Sequence, residues 1–321
     1  MPLVSIIIPV YNQEKFVRRS LDSCMKQTLS DIEIIVVNDG SDDATPQIIE
    51  ELASQDKRIV VIHKKNGGPG LARNAGLEAA RGQFVGFVDS DDYADHRMFE
   101  KMVAIAGEND ADIVQCGFEK VNARGEVVGA GRSGEKIVTG ADQCALEYSL
   151  QNEINNYLFC KLIKRSVIGD VRFPDLFASE DSFFLLQLFF KCRKAVLFKE
   201  SLYTYVQHPE SLTFYGFSPQ RMDIIKSGKL MYDFSCNKIP GVSAYWGLFI
   251  VLNAVKLYSR SFPRKEFRYY RSELEKEFDH FYAIVKDTYA MNRIDRKSRM
   301  ALNVFAVYPP LYALLYNLTH R

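Results

Sequence analysis

The feature that most constrains this chain is the alternation, within its first 90 or so residues, of short β-branched apolar runs with segments of helical pattern. Val4-Ser5-Ile6-Ile7-Ile8 precedes an amphipathic stretch from Glu14 to Gln27, and Ile32 to Val37 precedes Ala44 to Gln55. Ile59 to His63 leads into a Gly-rich turn, a helix over Leu71 to Ala80 and a further apolar run, Phe84 to Val88. Runs this short and this continuously apolar suit strands buried on both faces, and intervening helices of about three turns join such strands in parallel order. The spacing predicts βαβ units in a parallel α/β sheet covered on both faces, in which ligands gather beyond the carboxyl ends of the strands.

Beyond Ala111 the pattern loosens. A strand is expected over Asp112 to Val121, a Gly-rich hairpin over Asn122 to Ser133, and helices over Gly140 to Leu150 and Glu180 to Lys191. After Gly216 the pattern is helical to the end, with segments near Gln220 to Phe234, Val242 to Tyr258, Arg264 to Tyr289 and Lys297 to Leu318. The expected organisation is an α/β body over residues 1–215, made of halves 1–110 and 111–215, followed by a helical subdomain over 216–321.

With 321 residues, 47% hydrophobic and 25% charged, the chain is large enough to bury a core and too apolar to be disordered. Its net charge of +1 gives no global footprint of a nucleic-acid binder, so no nucleic-acid partner is expected. That neutrality hides a split: residues 256–321 hold 13 Lys and Arg against 7 Asp and Glu, while the first 255 hold 28 against 33. Six cysteines without a C-x-x-C pair argue against a zinc knuckle or a disulfide framework and for a reducing, cytoplasmic setting. Leu3 to Val10 lacks a basic leader and a small-residue cleavage site and contains Pro9, so it is expected to be a buried strand rather than a signal peptide. No stretch reaches the roughly 18 uninterrupted apolar residues of a spanning helix.

Three strand ends carry polar signatures: Pro9-Val10-Tyr11-Asn12, Asn38-Asp39-Gly40-Ser41-Asp42-Asp43 and Asp89-Ser90-Asp91-Asp92. Asp39 directly follows an apolar strand, where a carboxylate can accept hydrogen bonds from a base or ribose; Asp42 better suits a helix start. Asp89-Ser90-Asp91-Asp92 sets three carboxylates within four residues. A hard divalent cation bridging to a diphosphate would relieve that repulsion, and an acidic turn capping the next helix explains the cluster equally well. The stretch Asn66 to Gly76 matches neither the dinucleotide fingerprint nor the P-loop. Arg73, one turn into the helix that follows, could reach a base or phosphate, or pair with Glu78 on its own helix. Glu180-Asp181 opens an apolar helix, either as dipole complement or as a carboxylate facing a closed pocket.

Taken in order, these segments resemble the family-2 glycosyltransferases of the GT-A fold, inverting enzymes that move a sugar from a nucleotide-diphosphate donor to an acceptor hydroxyl. The resemblance is carried by Ser5 to Asn12, Val37 to Asp42, Asn66 with Gly70 to Gly76, Phe87 to Asp92, and Glu180-Asp181. It implies a GT-A, Rossmann-like central sheet, mixed and mostly parallel, flanked by helices and followed by the helical subdomain. It also implies a nucleotide-sugar donor, most commonly a UDP-sugar, and a divalent metal, Mn²⁺ or Mg²⁺. By that resemblance Pro9, Val10 and Tyr11 border the nucleobase, Asp39 binds base or ribose, and Asn66 and Arg73 add base or phosphate contacts. Asp89 approaches the ribose, Asp91 holds the metal, Asp181 is the catalytic base and Glu180 assists it. Tyr205 to Thr213 resembles a segment that reaches the diphosphate in some members, with His208 and Ser211 in its basic and hydroxyl positions. His in place of Arg leaves open whether it binds phosphate, metal or neither, a lone loop His being more often structural.

The expected acceptor is a saccharide, a glycoprotein or a lipid-linked molecule of polysaccharide or glycoconjugate synthesis, met in the cytoplasm or at the inner face of the membrane. In the tail, the apolar stretch Phe305 to Tyr316 follows Arg293, Arg296, Lys297 and Arg299. That pairing suits a peripheral membrane contact, although an apolar face packed on the body is the slightly favoured reading for a helical add-on. A second function class is a non-catalytic nucleotide-sugar-binding partner of another transferase. Loss of Asp39, Asp89, Asp91 or Asp181 would favour it, and all four are present.

Overall fold

The computed structural model describes residues 1–131, 134–207, 217–239 and 241–319. It divides the chain into two units, one of Met1–Asp175 with Glu180–Pro209, the other of Leu176–Ser179 with Glu210–Arg321. In the first unit β1 (Val4–Val10), α1 (Val17–Met25), β2 (Ile32–Asn38), α2 (Thr45–Gln55), β3 (Ile59–His63), α3 (Pro69–Ala79) and β4 (Phe84–Phe87) follow one another. They occur where the alternation of apolar runs and helical patterns places them. β5 (Tyr93–Ala94), α4 (Met98–Asn109), β6 (Ile113–Asn122), β7 (Val127–Gly131), β8 (Lys136–Thr139) and α5 (Ala141–Leu150) come next. β9 (Lys161–Lys164), α6 (Arg165–Ile168), α7 (Glu180–Phe189) and β10 (Lys194–Gln207) complete the unit.

These strands form one sheet in the order β3-β2-β1-β4-β9-β6-β10-β5, with β7 against β6 and β8 against β10. β3, β2, β1 and β4 run parallel. β9 enters antiparallel between β4 and β6, after which β6 and β10 pair in parallel. The first four strands are mostly apolar because helices cover both faces of a parallel sheet. Among their polar residues, Glu33 on β2 is buried but satisfied: Ser5 Oγ donates to it at 2.6 Å and Arg81 at 2.7 to 3.0 Å. Burial works to raise its pKa, yet these bonds hold it below the ordinary carboxylate range.

Several elements carry no signal of the expected kind. β9 is four residues long and begins at the fully buried Lys161, whose ammonium donates to the carbonyls of Asn155 and Tyr157. β10 is interrupted by register shifts between Leu197 and Tyr203, which break its two-residue period. At the far end, the single helix expected over Lys297 to Leu318 is two. Pro309 lacks an amide hydrogen and disfavours helical geometry at Tyr308, which sits at φ −149°, ψ 82°, so the helix stops and restarts there.

The second unit is helical: α8 (Asp223–Ser235), α9 (Val242–Ser261), α10 (Arg268–Val285), α11 (Arg296–Val307) and α12 (Pro309–Thr319). α9 is long and apolar enough to cross a membrane by length and composition, although its apolar run is broken by polar residues. Most of it is buried in a core shared with Leu274, Phe278, Phe281, Leu302 and Phe305. None of the six cysteines forms a disulfide.

Gly76 shows why the α3 motif needs small residues. A Cβ there would lie 2.5 Å from Ile7 Cγ2 on β1, so glycine lets the helix sit directly on the strand. Gly76→Val is expected to lower stability by about 1–3 kcal/mol, read from the midpoint of urea unfolding.

Candidate active site

The candidate residues of the first unit converge at the carboxyl ends of β1, β2 and β4. Asp39, 2% exposed, is held where β2 ends, its amide donating to Val10 O at 2.8 Å. Its carboxylate accepts from Lys64 Nζ at 2.6 Å, Gly67 N at 3.1 Å and Gly68 N at 2.7 Å. It thereby pins the loop after β3 onto the end of β2. Gly40, at φ 75°, completes the turn, since a Cβ would fall 2.8 Å from Asn66 N. Around this anchor Val10 is buried, Pro9 half-buried, and Tyr11 and Asn66 are exposed. Asp42, expected at a helix start, instead pairs with Asn12: Asn12 Nδ2 donates to its carboxylate at 2.7 Å. Asp43 takes the capping role, accepting from Thr45 N at 2.9 Å.

A second cluster centres on Arg73, whose side chain is 10% exposed. Its guanidinium bonds Glu180 Oε1 at 2.5 Å and Asp89 Oδ1 at 3.2 Å, joining α3, the loop after β4 and the start of α7. The helical neighbour Glu78 is not its partner; the charge points inward. Burial pulls the pKa of Arg73 down, but the surrounding Glu180, Asp89 and Asp181 charges hold it above its ordinary value. Two small features let α7 approach. A Cβ on Gly70 would meet Pro174 O at 2.9 Å and Glu180 Cγ at 3.2 Å, and Asn74 holds the Phe173 backbone by donating and accepting at 2.9 Å. Asp181 lies beside this cluster, half-buried. Burial first, then the Glu180 charge, pushes its pKa up to about 7, with Arg73 pulling the other way.

The acidic run after β4 divides. Asp92 is fully buried and turns inward, accepting from Tyr203 Oη at 2.9 Å and Val206 N at 2.7 Å. Burial and the Asp91 and Asp89 charges raise its pKa well above the usual range. Tyr203 Oη also accepts from Asp89 N at 3.0 Å, so one phenol ties both ends of the run to β10. Tyr203 bears no mark in the sequence beyond ordinary strand chemistry, whereas Asn74 lies inside the Gly70 to Gly76 motif without being singled out. From α1, Arg19 donates to Asp91 O at 2.6 Å and Ser20 Oγ to Asp89 O at 3.0 Å. Asp91 has no ion-pair partner among the described residues, and burial together with Asp89 pushes its carboxyl up to about 6. Among those residues no group of three or more His, Cys, Asp or Glu forms a complete metal cage. One or two carboxylates suffice for a divalent ion whose other ligands are water and phosphate oxygens, so Asp91 with Asp89 fits that use. His208 and Ser211 lie outside the described residues.

With this geometry in hand, comparison with known proteins is direct. The family model described as Glycosyl transferase family 2 matches residues 5–170. The uncharacterized glycosyltransferase EpsJ of Bacillus subtilis is 39% identical over 224 residues, spanning 68% of this chain and 65% of that protein. S. aureus TarS 1-349, solved in complex with UDP-GlcNAc, matches with a TM-score of 0.72 at 21% identity, covering 100% of this chain and 93% of that one. The mannosyltransferase PcManGT from Pyrobaculum calidifontis, solved with GDP-Man and Mn²⁺, matches with a TM-score of 0.54 at 14% identity, covering 99% and 87%.

The opposing charges around Asp181 make a two-sided prediction. Arg73→Met should raise the pKa of Asp181 above about 7, and Glu180→Gln should lower it, both followed by carboxyl-carbon NMR titration.

Proposed function

This chain belongs to glycosyl transferase family 2, a glycosyltransferase with a GT-A fold, and from that premise we propose that it is an inverting enzyme with Asp181 as general base. The observation that carries this reading is the carboxyl of Asp181, held near neutrality beside the Arg73–Glu180–Asp89 network. A base works best when its pKa lies near the working pH, and an ordinary exposed aspartate would be too weak.

In the proposed step an acceptor hydroxyl gives its proton to Asp181 while its oxygen bonds the anomeric carbon. The bond from that carbon to the diphosphate oxygen breaks on the opposite side, and the electron pair leaves with the nucleoside diphosphate. Burial, the Glu180 charge and the opposing Arg73 charge set the proton affinity of Asp181, and Glu180 assists the orientation of base or acceptor. Tyr11, Pro9 and Val10 border the base, Asp39 and Asn66 shape the ribose and base rim, and Asp89 approaches the ribose. Asp91 would hold Mn²⁺ or Mg²⁺, which supplies charge stabilisation to the diphosphate when bound. His208 and Ser211, next after β10, are assigned to the diphosphate. A UDP-sugar is the proposed donor, supported by the UDP-GlcNAc complex of the more similar structure. The acceptor is a saccharide of polysaccharide or glycoconjugate synthesis, and the absence of disulfides suits the cytoplasm.

Asp181→Asn is expected to lower kcat by about 10²–10⁴-fold while leaving UDP-sugar binding intact; full retained transfer would remove Asp181 from the role. In the wild type, the acid limb of kcat/KM should bend near 7 rather than near 4. The sign for stability is opposite. A carboxyl raised in the folded state loses stability as pH climbs from its unfolded value through about 7, so Asp181→Asn should melt higher than wild type above that pH, and the gap should close in acid. For Asp91→Ala, calorimetry with and without EDTA should show that metal no longer strengthens donor binding.

A further inference from the structure

We propose that the outward face of α11 and α12 is a docking surface for an anionic lipid bilayer. After the second unit has packed its core, these helices still expose Met300, Val304 and Val307 on α11 and Leu311, Leu315 and Leu318 on α12. Val307 is 85% exposed and Met300 and Leu318 are each 61% exposed. Within each helix the three recur at spacings of three and four, so they share one face. The opposite faces are already used: Leu302, Phe305 and Ala313 lie in the core of this unit, and Asn317 Nδ2 donates to Ser259 O at 2.8 Å. Leu314 widens the α12 face. Uncovered apolar faces on two successive helices are a surface waiting for an apolar partner.

Charge identifies the partner. Arg296 and Lys297 stand one turn before Met300, flanking the same face of α11, and Arg293 and Arg299 are also exposed nearby. From Arg296 through Thr319 there is no Asp or Glu, and from Met300 through Thr319 no charged residue at all. A second copy of this face would therefore bring basic residues against it with no acid to meet them. An anionic bilayer supplies both needs: acyl chains for the leucine, valine and methionine side chains, and phosphate groups for the arginines and lysine at the rim.

The test is flotation of the full chain with phosphatidylcholine vesicles, with and without phosphatidylglycerol. Wild type should float with the anionic vesicles, less so at high salt, and stay in solution with the neutral ones. Leu311→Asp/Leu315→Asp and Arg296→Glu/Lys297→Glu should each cut partitioning by about tenfold or more, with unchanged circular dichroism. Failure of the wild type to bind anionic vesicles overturns the proposal, as does undiminished binding by both variants. Self-association of wild type that Leu311→Asp/Leu315→Asp abolishes, without vesicle binding, would make the face a chain–chain interface and overturn it equally. Flotation reads no sugar transfer, so either result leaves the assignment of Asp181 untouched.

Discussion

The buried guanidinium of Arg73 is the interaction on which the candidate site depends. A charge at 10% exposure persists only with compensating partners, and removing one partner of such a pair costs about 3–5 kcal/mol. Here the partners come from two other segments, Asp89 after β4 and Glu180 at the head of α7. One side chain therefore fixes the spacing of three strand-end and helix-end segments, and sets the electrostatics of Asp181 as a by-product.

Around that centre the acids have separate jobs, each decided by its surroundings. Asp39 is saturated by Lys64 and the amides of Gly67 and Gly68 and organises a loop. Asp92 is buried on Tyr203 and Val206 and locks the acidic run to β10. Asp91 and Asp181, lacking such saturation, are pushed up to about 6 and about 7 by burial and neighbouring carboxylates. The same residue type is thus saturated as architecture at two positions and left unsaturated at two others.

The parallel half of the sheet was legible because its signal is local. β1 to β4 and their helices are written as continuous β-branched runs and amphipathic stretches, a pattern that burial on both faces demands. The acidic strand ends were legible for a related reason: polar residues abruptly following an apolar strand mark where the chain leaves the sheet. β9 and β10 were not legible, since one is four residues long and opens on a buried lysine while the other is broken by register shifts. Asp42 suited a helix start, and Arg73 either a base or phosphate contact or a pairing with Glu78; in space Asp42 bonds Asn12 and Arg73 bonds Glu180 and Asp89.

By itself, the sequence determined the α/β alternation, the polar strand ends and their order, and the basic, acid-free character of the final helices. These follow from periodicity and composition, which each short window of chain carries on its own. Only the tertiary structure decided which carboxylates are saturated by hydrogen bonds and which are left without such saturation. The pairing that settles the matter, Arg73 with Glu180, spans 107 residues. The proton affinity of a side chain depends on burial and on charges from distant segments, and neither exists until the chain has folded.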